Sequence, residues 1–314
     1  MVAKSDCSSG PRLCRNAQYS CVFKKALHSL KQSKNDISTE LPLQKAIAME
    51  AYMINQDMAI AIISFDGYSD IWDVFALCIN KFWKDRAYKT YLVTNDAHPL
   101  YEGIKIVNTG REVSWSHRVR TALDSIPEEY VLLLLEDYLI SEKVDNAKVG
   151  EALTYMINEG LDYLRIAPIP KIKKAKHVQF APITSKTLYG VNLQAAIWKK
   201  EYLLKTLSDE NLSAWEFEAR QKFGEETRVE GKCYAASNFV IKYLNGIIQG
   251  KWYIKTVESL ASIGIDIPLG ERTIMTDKDM RCKNIRNFFL HNIPPKLIRA
   301  LKPIAKKMGF KFVT

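Results

Sequence analysis

The chain has 314 residues, 47% of them hydrophobic and 25% charged, with a net charge of +10. Such usage is globular and excludes a disordered chain, a collagen and a coiled coil. The longest aliphatic run, Val131–Leu135, is five residues, against about 20 for a membrane-spanning helix, so no transmembrane segment is expected.

The polar start, Met1-Val-Ala-Lys-Ser-Asp-Cys7, has no apolar signal-peptide core, and secretion by that route is not expected. Six cysteines without a C-x-x-C pair give no support to a zinc knuckle or a thioredoxin-like site and fit a reducing cytoplasm. The positive charge is localised. No acid follows Asp279, while Arg281, Lys283, Arg286, Lys296, Arg299, Lys302, Lys306, Lys307 and Lys311 do. The body is nearly neutral and the basicity is C-terminal. Basic residues spread along a groove would suggest nucleic acid. A basic tail on a neutral body suggests an anionic lipid surface instead, and no nucleic-acid partner is expected.

Residues 1–57 read as a polar, weakly patterned preamble with a short helix near 43–54. Ala59–Ile63 is an apolar run ended by Ser64-Phe-Asp-Gly67, a buried strand with turn chemistry after it. Ile71, Trp72, Phe75, Ile79, Phe82 and Trp83 have helical spacing. Strands follow at Thr90–Thr94 and Ile104–Val107, then a helical face at Trp115, Val119, Ala122, Leu123 and Ile126. Tyr130–Leu135 is unbroken in its hydrophobicity, as in the centre of a parallel sheet, and ends in Glu136-Asp137-Tyr138. Further on the pattern predicts a helix over 146–159, a strand at 163–166, a Pro- and Lys-rich loop over 167–187, and a strand at 192–198 feeding a helix. Hairpin material follows at 233–257, with its turn near Asn245-Gly246.

Strands alternating with helices mean an α/β sheet, and ligands in such sheets sit at the carboxyl ends of the strands. Ser64, Asp66, Asn95, Asp96, Glu136 and Asp137 collect there. A carboxylate pair closing a buried strand is expensive unless partnered. It would hold a divalent metal with a diphosphate, or a ribose; the bland alternative is a cap or a local ion pair. Arg111 and Arg118 flank the opening of the helix at Trp115, where a guanidinium can reach a diphosphate or lie on a solvated face. Trp215-Glu-Phe-Glu218 alternates rings and acids. A carboxylate beside rings has a raised pKa and can take a proton from a hydroxyl; a capping segment reads equally well. Leu297, Ile298, Leu301, Ile304, Ala305 and Met308 form a stripe with basic residues off it, which suits a membrane surface. No G-x-G-x-x-G, Walker A, H-E-x-x-H or G-x-S-x-G motif occurs.

Ser64-Phe-Asp-Gly67 after the first strand, Asn95-Asp96 after the second, and the helix at Trp115 ahead of Tyr130–Tyr138 resemble a GT-A glycosyltransferase of the bacterial surface-polysaccharide, family 2-like type over roughly residues 58–220. The resemblance implies a GT-A-like (Rossmann-like) central, mostly parallel sheet flanked by helices, with a basic C-terminal helical tail. It implies that Phe65, Asp66 and Asp96, with Ser64 and Asn95 beside them, hold the nucleoside. Arg118 would meet the diphosphate, and Glu136-Asp137 would stand for the D-x-D element, with Asp137 the metal ligand. Glu216 or Glu218 would be the base on the acceptor. Glu136-Asp137-Tyr138 departs from D-x-D, since only Asp137 matches and tyrosine cannot replace a carboxylate ligand.

The implied organisation is 1–57 preamble, 58–270 glycosyltransferase domain (58–140 nucleotide-sugar half, 141–270 acceptor half) and 271–314 basic amphipathic tail. The implied activity is sugar transfer, with inversion, from a nucleotide-diphospho-sugar, UDP-linked, to a hydroxyl of a glycan or lipid-linked acceptor in surface polysaccharide biosynthesis. A divalent cation, Mn²⁺ or Mg²⁺, is the expected cofactor. The expected place is the cytoplasm, against the anionic inner face of the membrane through residues 281–314. The alternatives are a nucleotidyltransferase, and a non-catalytic module docking on membrane or RNA through the tail.

Overall fold

The computed structural model describes residues 57–281, apart from 112, 173–177, 185, 186, 188, 223–229, 271, 277 and 278. The expected helix at 43–54 and the apolar stripe at 297–308 lie outside the described residues.

The first half is a run of strands and helices: β1 (Met58–Ile63), a single 3-10 turn (Asp66–Tyr68), α1 (Ser69–Phe82), β2 (Lys89–Thr94), β3 (Ile104–Asn108), α2 (Trp115–Ser125) and β4 (Tyr130–Leu135). The second half adds β5 (Tyr138–Ile140), α3 (Asn146–Asn158), β6 (Tyr163–Arg165), β7 (Phe180–Pro182), β8 (Ala196–Lys199), α4 (Lys200–Leu207) and α5 (Ala214–Lys222). It ends with β9 (Cys233–Ala236), β10 (Tyr243–Asn245), β11 (Ile247–Ile248), β12 (Lys251–Trp252) and α6 (Ile254–Ala261).

Eight strands make one sheet in the order β3-β2-β1-β4-β8-β6-β9-β7. β3, β2, β1 and β4 are parallel neighbours. β8 runs antiparallel to both β4 and β6, β9 is parallel to β6, and β7 closes the edge antiparallel to β9. The fold is therefore α/β, with a mostly parallel central sheet flanked by helices. Alternation along the strands supplies both faces. Ile60, Ile62, Leu132 and Leu134 pack with Ile71, Trp72, Phe75 and Ile79 of α1 and Leu153 and Met156 of α3. Ala59, Ala61, Val131 and Leu133 pack with Val119, Ala122 and Leu123 of α2. This double burial makes β4 read as an unbroken apolar run.

Three expectations are corrected. The stretch 167–187 contains β7, whose Pro182 is tolerated because the strand lies at the sheet edge. The strand expected from 192 starts at 196, because Asn192 is drawn into bonds with Tyr163 and with the carbonyls of Ile169 and Tyr189. The residues expected as one hairpin divide: β9 joins the main sheet, β10 pairs with β5, and the hairpin is β11–β12. Its turn is Gln249-Gly250, both at positive φ (54° and 77°), the geometry that twists two short strands together. Among the described residues no helix is long and apolar enough to cross a membrane.

Candidate functional site

The carboxyl ends of β1, β2 and β4 lie side by side, because the three strands are parallel and adjacent. At the end of β1, Ser64 is buried and its Oγ accepts the indole N–H of Trp72 at 2.7 Å. The Asp66 carboxylate accepts backbone N–H groups from Asn95 (2.8 Å), Asp96 (3.0 Å) and Ala97 (3.1 Å). Asn95 answers by accepting the Asp66 N–H at 3.1 Å and donating to the Gly110 carbonyl at 2.8 Å. Ser64, Asp66 and Asn95 do converge; Asp66 and Asn95 clamp the loops after β1 and β2 to each other, while Ser64 ties the end of β1 to Trp72 of α1. Of the residues expected at the nucleoside, Asp66 and Asn95 thus also staple the two loops together. Asp96 keeps a partly exposed side chain, salt-bridged to Arg111.

Phe65 and Tyr68 form a ring pair with centroids 5.0 Å apart. Gly67 lies between them, and a Cβ there would come within 2.4 Å of the Phe65 ring. The Arg118 guanidinium sits 5.0 Å over that same Phe65 ring. Arg118 is held there because Ser114 caps α2, its Oγ accepting the His117 N–H, and because Nη1 donates to the Val113 carbonyl at 2.9 Å. Its Nε is buried and has no hydrogen-bond partner among the described residues. Burial lowers its pKa, while the charges of Glu136 and Asp66 hold it up.

Glu136 is buried at the end of β4, and burial, then the neighbouring Asp137, pushes its pKa up to about 8; Arg118 and Arg272 oppose the rise. Asp137 is pushed up to about 6 by burial, against a hydrogen bond from the Ile247 backbone and the charge of Arg272. Its carbonyl accepts the Gly246 N–H, which ties the pair to the β10–β11 corner. Arg272 is the residue the sequence reading missed. It grips Asp70 through two bonds (2.7 and 2.8 Å), donates to the Gly250 carbonyl at 2.9 Å and lies 4.7 Å over the Tyr68 ring. Two guanidinia, each over an aromatic ring, therefore act on the buried Glu136, and one of them on Asp137.

The acids after Trp215 separate. Ser213 donates its N–H and its hydroxyl to Glu216, each at 2.8 Å, and Ser213 Oγ accepts the Glu216 N–H at 3.2 Å. This is a capping box opening α5. Glu216 is exposed, and these bonds hold its carboxyl below the usual range. The expectation of a raised pKa at Glu216 is corrected. Glu218 has it: burial raises the carboxyl, against a 2.9 Å bond from the Leu193 N–H. The Leu193 carbonyl accepts the Tyr138 hydroxyl at 3.0 Å, so one residue links Glu218 to the neighbour of Asp137. Gln194 donates to that hydroxyl (3.2 Å) and accepts from Tyr243 (2.7 Å), whose ring stacks on Tyr138 at 4.6 Å.

A divalent ion fits this donor set in one manner. Among the described residues no three His, Cys, Asp or Glu side chains form a group that would enclose a metal. Asp137, with Glu136 beside it, offers hard carboxylate oxygens only. Mg²⁺-type ions are commonly held by one or two carboxylates plus the substrate's phosphate oxygens.

No protein-family model matches the chain. No curated protein matches it either. Solved structures do match. The bifunctional IspDF of Campylobacter jejuni is 11% identical, with 60% of this chain and 52% of that chain covered and a TM-score of 0.34. Residues 1–349 of TarS from S. aureus, in complex with UDP, are 13% identical over 59% of this chain and 58% of that chain, with a TM-score of 0.35. The 2-C-methyl-D-erythritol 4-phosphate cytidylyltransferase of Thermus thermophilus is 12% identical over 55% of this chain and 91% of that chain, with a TM-score of 0.32. The chain thus spans little more than half the length of the first two.

Proposed function

We propose that the chain is a transferase acting on a nucleoside-diphosphate sugar, with UDP as the nucleotide, and that it passes the sugar to a hydroxyl of a glycan or lipid-linked acceptor. One observation carries the reading: the buried Glu136, next to Asp137 at the carboxyl end of β4, lies within electrostatic reach of both Arg118 and Arg272. Carboxylates left short of positive charge want a cation, and Arg118, which unlike Arg272 forms no salt bridge among the described residues, wants an anion; a metal-bound diphosphate satisfies both.

Phe65 and Tyr68 offer ring faces to the nucleoside, and Asp96 offers a carboxylate to its hydroxyls. Arg118 donates its free Nε–H to a phosphate oxygen. Asp137, with Glu136, would hold Mn²⁺ or Mg²⁺. That ion supplies charge neutralisation for the leaving diphosphate. Glu218 takes the proton of the acceptor hydroxyl. The acceptor oxygen forms its bond to the anomeric carbon as the bond from that carbon to the diphosphate oxygen breaks. The proton ends on Glu218 and the electron pair on the nucleoside diphosphate. Attack from the face opposite the leaving group inverts the anomeric centre. The basic residues beyond 280 would bring the protein to an anionic membrane surface that carries the acceptor.

The test is a thermal-shift and calorimetric screen of UDP, GDP, CTP and their sugar conjugates, with and without Mn²⁺. Ligand at about 100 times its dissociation constant stabilises by about 2.7 kcal/mol. A UDP-selective, Mn²⁺-dependent shift, with release of UDP from a UDP-sugar, supports the reading. A CTP-selective shift with pyrophosphate release would replace it with nucleotidyl transfer.

A further inference from the structure

We infer that the indole of Trp215 is a stacking platform for a pyranose ring of the acceptor, placed so that a ring hydroxyl meets Glu218. This rests on the glycosyl-transfer reading and names its second substrate subsite.

The chain has six tryptophans. Trp72, Trp83, Trp115, Trp198 and Trp252 are buried, while Trp215 is 64% exposed. Its exposure is built in. Phe217 is 0% exposed and fills the space under α5 against Trp115 (5.1 Å between centroids) and Trp198 (6.2 Å). At about 100° per residue, Trp215 lies about 160° around the helix from Phe217, on the outer side. The Ser213–Glu216 capping box fixes this first turn and removes Glu216 from other work. The helix therefore cannot roll to tuck the indole in without expelling Phe217.

The same geometry puts Trp215 and Glu218 three residues apart, about 60° around the helix, which makes them neighbours on its surface. Glu218 in turn is bonded to Leu193, whose carbonyl meets Tyr138. The indole thus stands beside the one acid on α5 that is linked, through Leu193, to the hydroxyl of Tyr138, the residue after Asp137. The chemistry selects a sugar. One face of a pyranose is a row of C–H groups that suits the electron-rich face of an indole, and its rim carries hydroxyls that suit a carboxylate. An alkyl chain would use the indole and strand the carboxylate; a cation could use both but would bring no hydroxyl for Glu218 to deprotonate.

The experiment uses the full chain with UDP and Mn²⁺ on an array of immobilised mono- and oligosaccharides, followed by titration of the best binder. Iodide quenching of tryptophan fluorescence is read in parallel, since one indole of the six is well exposed. The wild type is expected to bind at least one saccharide, and that saccharide is expected to shield the iodide-accessible fluorescence. Trp215→Ala should weaken the binding at least about tenfold, and Trp215→Phe should restore part of it. A wild type that binds no saccharide, binding unchanged in Trp215→Ala, or bound saccharide that leaves iodide quenching intact would each overturn the inference. The UDP thermal shift is measured on the same samples. Its absence sinks the donor reading, while the saccharide titration still decides the role of Trp215.

Discussion

Arg118 is half-buried with its guanidinium over an aromatic ring, and its buried Nε–H has no partner among the described residues. A buried donor without a partner costs about 1–3 kcal/mol, and a bond to a charged oxygen recovers about 1.5–3. Arg118→Gln is therefore expected to weaken UDP binding about 10- to 100-fold by calorimetry. Arg118→Lys should recover little, because an ammonium has no planar fork to offer. Unchanged affinity in Arg118→Gln would remove Arg118 from the site. Its position was legible in the sequence, since Trp115, Val119 and Ala122 set the helical phase and Ser114 supplies a cap. Arg272 was not legible. It reaches Asp70 from 202 positions away, delivered by the Trp252–Ile274 bridge, and no local pattern encodes such a return. Glu216 and Glu218 show the opposite case. Ser213-x-x-Glu216 is a capping signature readable in one dimension, but an alternation of rings and acids fits a base equally well. Only the helical phase shows which acid faces inward.

At the level of elements, the β1 and β2 loops act as one clamp. Asp66 gathers three backbone N–H groups from the β2 loop, and Asn95 returns a bond to the β1 loop. Asp66→Ala is expected to lower stability by about 2–4 kcal/mol in urea unfolding without any ligand, since charge-assisted bonds to several amides are lost together. A residue that did nothing but contact the nucleoside would leave the unliganded protein untouched, so an unchanged urea midpoint would remove the clamp role from Asp66. The sequence showed that polar residues meet at these strand ends. It could not show that half of them bond to one another, because that depends on the separation of the two loops. Arg165 makes the same point in the second half. It is fully buried in β6 and donates to the carbonyls of Ala167, Pro170, Tyr189 and Gly190, with no carboxylate among these partners. In sequence it is one cation in a short apolar strand; in the fold it ties together two loops that flank Asn192–Gln194.

Across the molecule, the strands from β1 to β4 follow the sequence reading closely, because each carries its own apolar run and turn. The antiparallel half does not, because β7, β9 and β10 are defined by partners far along the chain. The carboxylate pair joins the two halves, and this has a consequence for stability. Glu136 has an ordinary pKa of 4.5 raised to about 8, and Asp137 one of 3.8 raised to about 6. Folding therefore favours their protonated forms. The folded chain binds more protons than the unfolded chain between about pH 4 and pH 8, so stability falls as pH rises through that window. The loss is on the order of a few kcal/mol. The unliganded protein is expected to lose several degrees of Tm between pH 5 and pH 8.5. Glu136→Gln removes the larger shift, so it should flatten that slope and raise Tm at pH 8, at the expense of metal-dependent nucleotide binding. UDP with Mn²⁺ should restore the wild type's Tm at pH 8 far more than at pH 5, where protons already neutralise the pair. Thermal melts of both proteins over this range decide the matter. If Glu136→Gln follows the wild-type slope, the pair is compensated by other charges and the case for a cation between the two arginines falls with it.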